Sequence, residues 1–205
     1  AFEQAFAERH QVNYAIAVTS ATTALHLALV VLDIKPGDEV IVPAFTWVST
    51  ANVVLYQGAK VVFCDIDPRT FNLDPKKLHE KISPKTKAII VVHLFGLCAP
   101  MDEIKAVAGD IPIVEDGACA AGAAYKEVPA GGLGTMGCFS FHPRKSITTG
   151  EGGMITTNDN TLGKRLQVLR NHGASISEEQ RHHGPKPYIL PDFNVLGYNY
   201  RMTDL

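Results

Sequence analysis

Three groups of residues in this sequence have types and an order that could do chemistry together. Lys145 lies between a strand-like segment and the glycine-rich turn of residues 148–153, Asp116 ends an earlier apolar segment, and residues 20–23 form a Ser/Thr-rich turn that opens a helix. An amine can form a Schiff base with an aldehyde, a carboxylate can keep a pyridine nitrogen protonated, and free helix amides suit a phosphate. Together they predict a site for pyridoxal phosphate (PLP).

The phosphate and ring contacts each have an ordinary alternative. Ser20, Ala21 and Thr22 sit between a strand-like segment and a helix, where free amides and small hydroxyls suit a phosphate, yet any capped helix has the same pattern. Trp47 is the only tryptophan and follows the strand-like residues 39–42. Its ring could stack on a pyridine or could pack in the core.

Two adjacent carboxylates compete for the ring nitrogen. Asp116 ends the strand-like residues 111–115, and the C-terminal ends of strands line the ligand crevice of open α/β sheets. Strand alternation directs Glu115 and Asp116 to opposite faces, so only one of them can serve. Lys145 is expected to form the Schiff base and then to carry the proton between the substrate and the cofactor, whereas an isolated lysine is usually a solvated surface residue.

Length and composition fit a globular protein with one sizeable core. The 205 residues are 46% hydrophobic and 20% charged, with a net charge of −2. No basic run exceeds two residues, which disfavours nucleic-acid binding, and no apolar stretch reaches the roughly 20 residues of a membrane helix. We expect no signal peptide. The four cysteines lack CxxC spacing and predict reduced thiols in a cytoplasmic protein.

Apolar strand-like segments alternate with helical patterns along the chain, which predicts an α/β fold, doubly wound or three-layered. Most of the strands are apolar on both faces, as in a parallel sheet that is covered by helices. Residues 173–194 are polar and lack a period, so they predict a long loop. The predicted strands are residues 14–18, 39–42, 61–64, 88–92, 112–114 and 150–158, and the predicted helices are residues 22–32, 47–56, 75–82, 101–108 and 160–172.

Two other patterns are rejected as sites. Residues 132–137 satisfy the dinucleotide motif G-x-G-x-x-G, but no strand precedes them and a strand-like segment follows, so a glycine-rich hairpin is the better prediction. His182 and His183 lie in the long loop without a third ligand at metal spacing. We therefore predict no metal site.

Seven short motifs are spread along the whole chain: AVTSATTALH at 17–26, GDEVIVP at 37–43, HLFG at 93–96, ED at 115–116, FSFHPRK at 139–145, TGEGG at 149–153 and GYNYRM at 197–202. Together they resemble the DegT/DnrJ/StrS family of nucleotide-sugar aminotransferases. The resemblance implies the large domain of the type I PLP-dependent transferase fold, a three-layer α/β/α sandwich with a mostly parallel sheet. It also implies that residues 1–205 are this PLP-binding domain, cut at both ends, with the small C-terminal domain outside the sequence.

Carried over position by position, the resemblance assigns the cofactor contacts. Lys145 matches the Schiff-base lysine, Asp116 the partner of the pyridine nitrogen and Trp47 the aromatic residue that stacks on the ring. Ser140 belongs to the phosphate site. Asn199 matches an asparagine that reaches the phosphate of the neighbouring subunit.

The phosphate site implied by the resemblance also takes in the turn before the first long helix. It includes Ser20 and the backbone of Ala21 and Thr22. Cys119 departs from the commoner Gln or His near the cofactor's phenolic oxygen, and its thiol is a weak hydrogen-bond donor. Cys119 therefore contacts the cofactor weakly or only packs. His142 and Arg144 flank the site, as substrate contacts or as packing.

The resemblance implies transfer of an amino group, with L-glutamate as the expected donor, to a nucleotide-linked keto sugar. Residues 147–152 look more like the branch that aminates 4-keto sugars, such as a 4-keto-6-deoxy sugar, for cell-envelope glycans or natural products. Relatives that are sugar dehydratases have His in place of the lysine, so Lys145 favours transamination. A cyclitol aminotransferase, a dehydratase and a non-catalytic PLP- or sugar-nucleotide-binding regulator are the alternatives. A homodimer with shared active sites is expected.

Overall fold

A seven-stranded sheet runs through the computed structural model, which describes residues 1–176, 178–186 and 188–204. The strands are β1 (Tyr14–Val18), β2 (Glu39–Pro43), β3 (Lys60–Cys64), β4 (Thr86–Val92), β5 (Ile113–Asp116), β6 (Ala124–Tyr125), β7 (Val128–Pro129), β8 (Met136–Ser140) and β9 (Gly153–Thr157). The sheet order is β1-β9-β8-β5-β4-β2-β3, and β6 and β7 form a separate hairpin. The three-layer class with a mostly parallel sheet is confirmed.

Six of the seven strands run in one direction. β3, β2, β4, β5 and β8 pair in parallel, while β9 is antiparallel to both β8 and β1, so β1 has the direction of β8. Apart from the edge strand β3, their β-branched and apolar side chains are largely buried on both faces because helices cover the sheet on each side. As a result, the C-terminal ends of six strands meet at the same edge.

Helices pack on both faces of the sheet. α2, α3 and α6 cover one face with a core that includes Leu25, Val53 and Leu166, and α1, α4 and α5 cover the other with residues such as Phe6 and Ile104. The bounds are α1 (Phe2–His10), α2 (Ala21–Val31), α3 (Ser49–Tyr56), α4 (Pro75–Leu78), α5 (Met101–Ala108), α6 (Asn160–Arg170) and α7 (Glu178–His183), with 3₁₀ turns at His79–Lys81 and Leu94–Gly96.

Several predicted elements differ from the observed ones. The third strand is not buried on both faces: β3 is the edge strand, and Phe63 is exposed. The helix predicted from residue 47 begins at Ser49, and the helix predicted to residue 82 ends at Leu78 and continues as a 3₁₀ turn. The predicted loop 173–194 contains α7, whose short polar sequence has no apolar period to reveal it.

The rejected dinucleotide motif has the context expected for a glycine-rich turn. It begins after the β6–β7 hairpin and ends within β8, so a strand and not a helix follows its glycines. Among the described residues, no helix is long and apolar enough to cross a membrane.

Candidate active site

A cavity of about 510 Å³ opens at the edge where the parallel strands end. Its walls come from the segments that follow β1, β2, β4, β5 and β8, together with Glu151 just before β9. This is the position in which open α/β sheets bind their ligands, because loops diverge there and leave a crevice. Every site residue predicted in the chain except Asn199 lines this cavity.

The turn after β1 starts α2, and its residues Ser20, Ala21 and Thr22 line the cavity. The Ser20 hydroxyl accepts a hydrogen bond from the Thr23 amide at 3.1 Å, and the Thr23 hydroxyl accepts one from the Ser20 amide at 3.0 Å. Ala21 and Thr22 stand in the first turn, where an amide has no carbonyl four residues earlier in the helix. A Cβ on Gly153 would lie 2.4 Å from the Ser20 carbonyl carbon, so only glycine lets β9 approach this turn.

Asp116 presents a buried carboxylate at the base of the cavity. The residue is 4% exposed; its Oδ2 accepts a hydrogen bond from the Thr50 hydroxyl at 2.8 Å, and its Oδ1 accepts one from the Ala118 amide at 3.2 Å. Burial raises the pKa of Asp116, while the Thr50 hydrogen bond opposes this. A cationic partner such as a protonated pyridine nitrogen would stabilise the ionised carboxylate.

Glu115 occupies the opposite face of β5, as strand alternation predicts. Its carboxylate accepts hydrogen bonds from the Gly131 amide at 2.7 Å and the Gly134 amide at 2.5 Å, and its Oε2 lies 2.8 Å from His93 Nε2. The glycine-rich turn therefore holds an anion, but that anion is the chain's own side chain. Glu115 does not line the cavity, which leaves Asp116 as the carboxylate in position to meet a ligand.

Lys145 reaches the same cavity from the turn after β8. Its amide donates to the His142 carbonyl at 2.9 Å, and its Nζ donates to Cys119 Sγ at 3.1 Å. Cys119 lines the cavity and contacts the amine. The sequence did not predict this contact, because the two residues meet only through the pairing of β5 with β8.

The remaining predicted contacts separate into two groups. Ser140, at the end of β8, and Trp47, which is 73% exposed, both line the cavity. His142 and Arg144 also line it, and His142 Nε2 lies 3.8 Å from Glu151. Asn199 lies outside the cavity lining: it is exposed and pairs with Asn171 in an isolated bridge. Its predicted contact with a neighbouring subunit stays a prediction.

Two features of the site were missed by sequence reasoning. The Thr50 hydroxyl donates to Asp116, and it lies 2.9 Å from the hydroxyl of Thr46, four residues earlier and before α3 begins. The four-residue spacing of these threonines is a weak signal that could have been read. Phe95 lines the cavity and is 78% exposed, although a phenylalanine in an apolar stretch would ordinarily be assigned to the core.

The fold of this chain is that of the type I PLP-dependent transferases. The chain belongs to the DegT/DnrJ/EryC1/StrS aminotransferase family, whose model matches residues 1–205. It is 48% identical over 206 aligned residues to GDP-perosamine synthase of Caulobacter vibrioides, covering all of this chain and 53% of that protein. The chain thus spans about half the length of this curated relative.

Solved structures agree with this family membership. An aminotransferase from Psychrobacter cryohalolentis superposes with a TM-score of 0.91 at 40% identity, over 98% of this chain and 51% of that one. The PLP form of Spr1654 from Streptococcus pneumoniae superposes with a TM-score of 0.88 at 34% identity, over 98% of this chain and 55% of that one. At these identities the likeness extends beyond the fold to the sequence.

Proposed function

We propose that this chain is the PLP-binding domain of an aminotransferase that moves an amino group from an amino acid to a nucleotide-linked keto sugar. The observation that carries the proposal is the convergence of Lys145, Asp116 and the start of α2 on one cavity. The family membership and the PLP form of a related structure support the same chemistry.

The residues present fit PLP. Asp116 is a buried carboxylate that lacks a described cation in hydrogen-bond contact, so it suits a protonated ring nitrogen. The first-turn amides of α2, with Ser20 and Ser140, suit the phosphate. Trp47 stands at the cavity where its ring can cover a flat ligand, and Cys119 borders the amine. When bound, PLP supplies an electrophilic carbon and a ring that withdraws electrons.

The chain's own residues would divide the work of the reaction. Lys145 Nζ would hold the cofactor and then move a proton at the substrate carbon that carries the amine. Asp116 would keep the ring nitrogen protonated, because separating a cation from a buried carboxylate is costly. The cavity walls would exclude water from the amine while the two substrates bind in turn.

The acceptor is proposed to be a 4-keto-6-deoxy sugar on a nucleoside diphosphate, and the donor L-glutamate. Similarity to a GDP-perosamine synthase makes GDP the first nucleotide to test. The cytoplasmic location, the homodimer with Asn199 in the partner's site, and the assignment of residues 1–205 to the large domain stay predictions.

Replacing Lys145 with alanine should strongly reduce turnover in the full-length protein. L-Glutamate should remove the visible absorption of lysine-linked PLP in the wild type, and GDP-4-keto-6-deoxymannose should restore it with release of an amino sugar. Lys145→Ala should lose about 10²–10⁴-fold or more of this activity, because the proton-carrying amine is gone. Lys164→Ala, an exposed lysine on α6, should keep full activity.

Other outcomes would separate the alternatives. A deoxygenated keto sugar as the product, in place of an amino sugar, would identify a dehydratase. Absence of the visible band in folded protein with excess PLP would leave a binding protein without turnover. Either result would overturn the proposed transamination.

A further inference from the structure

Phe95 combines two features that seldom occur together. Its side chain is 78% exposed on the cavity wall, and its backbone has φ 55° and ψ 22°, the left-handed region. A bulky residue without a turn-forming side chain is strained there, because its Cβ crowds the following carbonyl. Strain of this kind persists only where the surroundings impose it, and it is concentrated at ligand sites.

The surroundings that impose this conformation include a buried asparagine. Asn72 is 2% exposed, and its Oδ1 accepts a hydrogen bond from the Leu94 amide at 3.0 Å. Its Nδ2 donates to the Leu97 carbonyl at 2.9 Å. One side chain thus fixes the backbone on both sides of Phe95.

A buried histidine fixes the start of the same turn. His93 is 1% exposed, and its Nδ1 accepts a hydrogen bond from the Ala99 amide at 3.2 Å. The Nε2 proton therefore faces Glu115, 2.8 Å away, and Glu115 is itself held by glycine amides. Both buried polar side chains are satisfied by holding this turn, and the residue left without a partner is the aromatic ring at its tip.

The turn lies beside the reacting amine. A Cβ on Gly96 would come within 3.2 Å of the Cys119 carbonyl oxygen, and Cys119 Sγ lies 3.1 Å from Lys145 Nζ. Phe95 and Lys145 thus line the same cavity and are linked through Gly96 and Cys119, which favours contact of Phe95 with the part of a substrate that reacts with the amine. A distant part of a substrate, such as a nucleobase, is less suited to this position.

We propose that Phe95 is a specificity-determining residue that packs against the apolar face of the keto sugar at the reacting end of the cavity. This inference rests on the proposed aminotransferase function. A deoxy sugar ring presents a face of C–H groups, and burying it against an aromatic ring removes apolar surface of both from water. A small, polar amino donor offers no such face. Phe95 should therefore contribute to the half-reaction with the keto sugar and not to the half-reaction with the amino donor.

The test measures the two half-reactions separately in the full-length, PLP-loaded protein. Phe95→Ala should leave the rate of amine uptake from L-glutamate within about twofold of wild type, while the KM for GDP-4-keto-6-deoxymannose rises about tenfold or more. Phe95→Tyr should retain the wild-type KM. Phe63→Ala is the matched control, since Phe63 is also an exposed phenylalanine, at 56%, but lies on the edge strand β3 and does not line the cavity.

The melting temperature supplies a second measurement, which distinguishes a ligand-binding role of Phe95 from a role in packing alone. Asn tolerates the left-handed region, so Phe95→Asn should raise the melting temperature by about 2–4 °C while it weakens use of the sugar. A residue needed for packing would lower the melting temperature instead.

The outcomes distinguish this inference from the function on which it rests. An active wild type whose Phe95→Ala variant keeps its acceptor KM, or loses both half-reactions equally, overturns this inference alone. Loss of the native oligomeric state in Phe95→Ala would show that the ring serves an interface, and would also overturn it. A wild type that transfers no amino group overturns both.

Discussion

At the scale of single residues, the cavity places an ionisable group where it is costly to keep charged. Asp116 is buried and has two neutral hydrogen-bond donors, Thr50 and Ala118, in place of a cation. Burial raises its pKa above the usual 3.8, so the folded chain holds a proton on this carboxyl more tightly than the unfolded chain does. A bound cofactor with a protonated ring nitrogen would offset that cost.

Asp116→Asn should therefore stabilise the cofactor-free protein and inactivate the enzyme. A group with a raised folded-state pKa favours folding below pH 3.8 and loses that contribution as pH rises through the folded-state value. Near pH 7 the variant should therefore have a higher free energy of unfolding than wild type, and this gain should disappear at low pH. Amino transfer should fall by about 100-fold or more. Denaturation across pH checks the first effect, and a less stable variant at pH 7 would contradict it.

The chemical residues could be predicted from sequence, but several of their contacts could not. Lys145 and Asp116 were predicted because their types and order along the chain fit one cofactor. The Thr50 and Cys119 contacts depend on which strands and helices become neighbours, and that pairing is not encoded locally. The hydrogen-bond partners of a site residue are therefore harder to predict from the sequence than the site residue itself.

At the scale of elements, two N-terminal helix caps of similar chemistry have different roles. Ser20 caps α2 at the cavity, and Asp159 caps α6 through hydrogen bonds to the Thr161 and Leu162 amides at 2.7 and 2.9 Å. Each satisfies amides that would otherwise lack an acceptor. Only the first borders the proposed phosphate site.

Ser20→Ala and Asp159→Ala should each lower the free energy of unfolding by about 1 kcal/mol, because each removes a cap. Only Ser20→Ala should also weaken PLP binding, by severalfold, as followed by cofactor titration. Equal PLP affinities in the two variants would show that the α2 cap plays no part in the phosphate site.

The observed elements also show where local patterns mislead. Residues 61–63 have the composition of a buried strand, but β3 stands at the sheet edge, where no further strand follows. The sequence after Pro43 predicts a helix from residue 47, but α3 begins at Ser49, so Trp47 lies in the loop between β2 and α3. Composition predicted which segments are strands; their positions across the sheet depend on the whole chain.

At the scale of the whole molecule, Glu115 joins parts of the chain that are far apart in sequence. Its carboxylate links β5, the turn after β7 and the His93 turn, and the side chain is fully buried. Removing the charge would leave an amide group facing hydrogen-bond donors.

Glu115→Gln should lower the free energy of unfolding by about 2–4 kcal/mol. The matched change Glu80→Gln, at an exposed position, should stay within about 0.5 kcal/mol of wild type. Urea denaturation of both variants checks this. Similar midpoints would show that the buried carboxylate contributes little.

The antiparallel strand β9 affects the order in which parts of the protein fold. In the seven-stranded sheet, β1 is hydrogen-bonded only to β9. Residues 14–18 can therefore join the sheet only after residues 153–157 have been made. Pairings of such separation close late and slowly, because the loop entropy is lost before the contacts form. The turn at Ser20 follows β1 directly, so it is anchored through β1 only once β9 has been made. A cofactor that needs this turn together with Asp116 and Lys145 would therefore bind to the completed sheet and not to the growing chain.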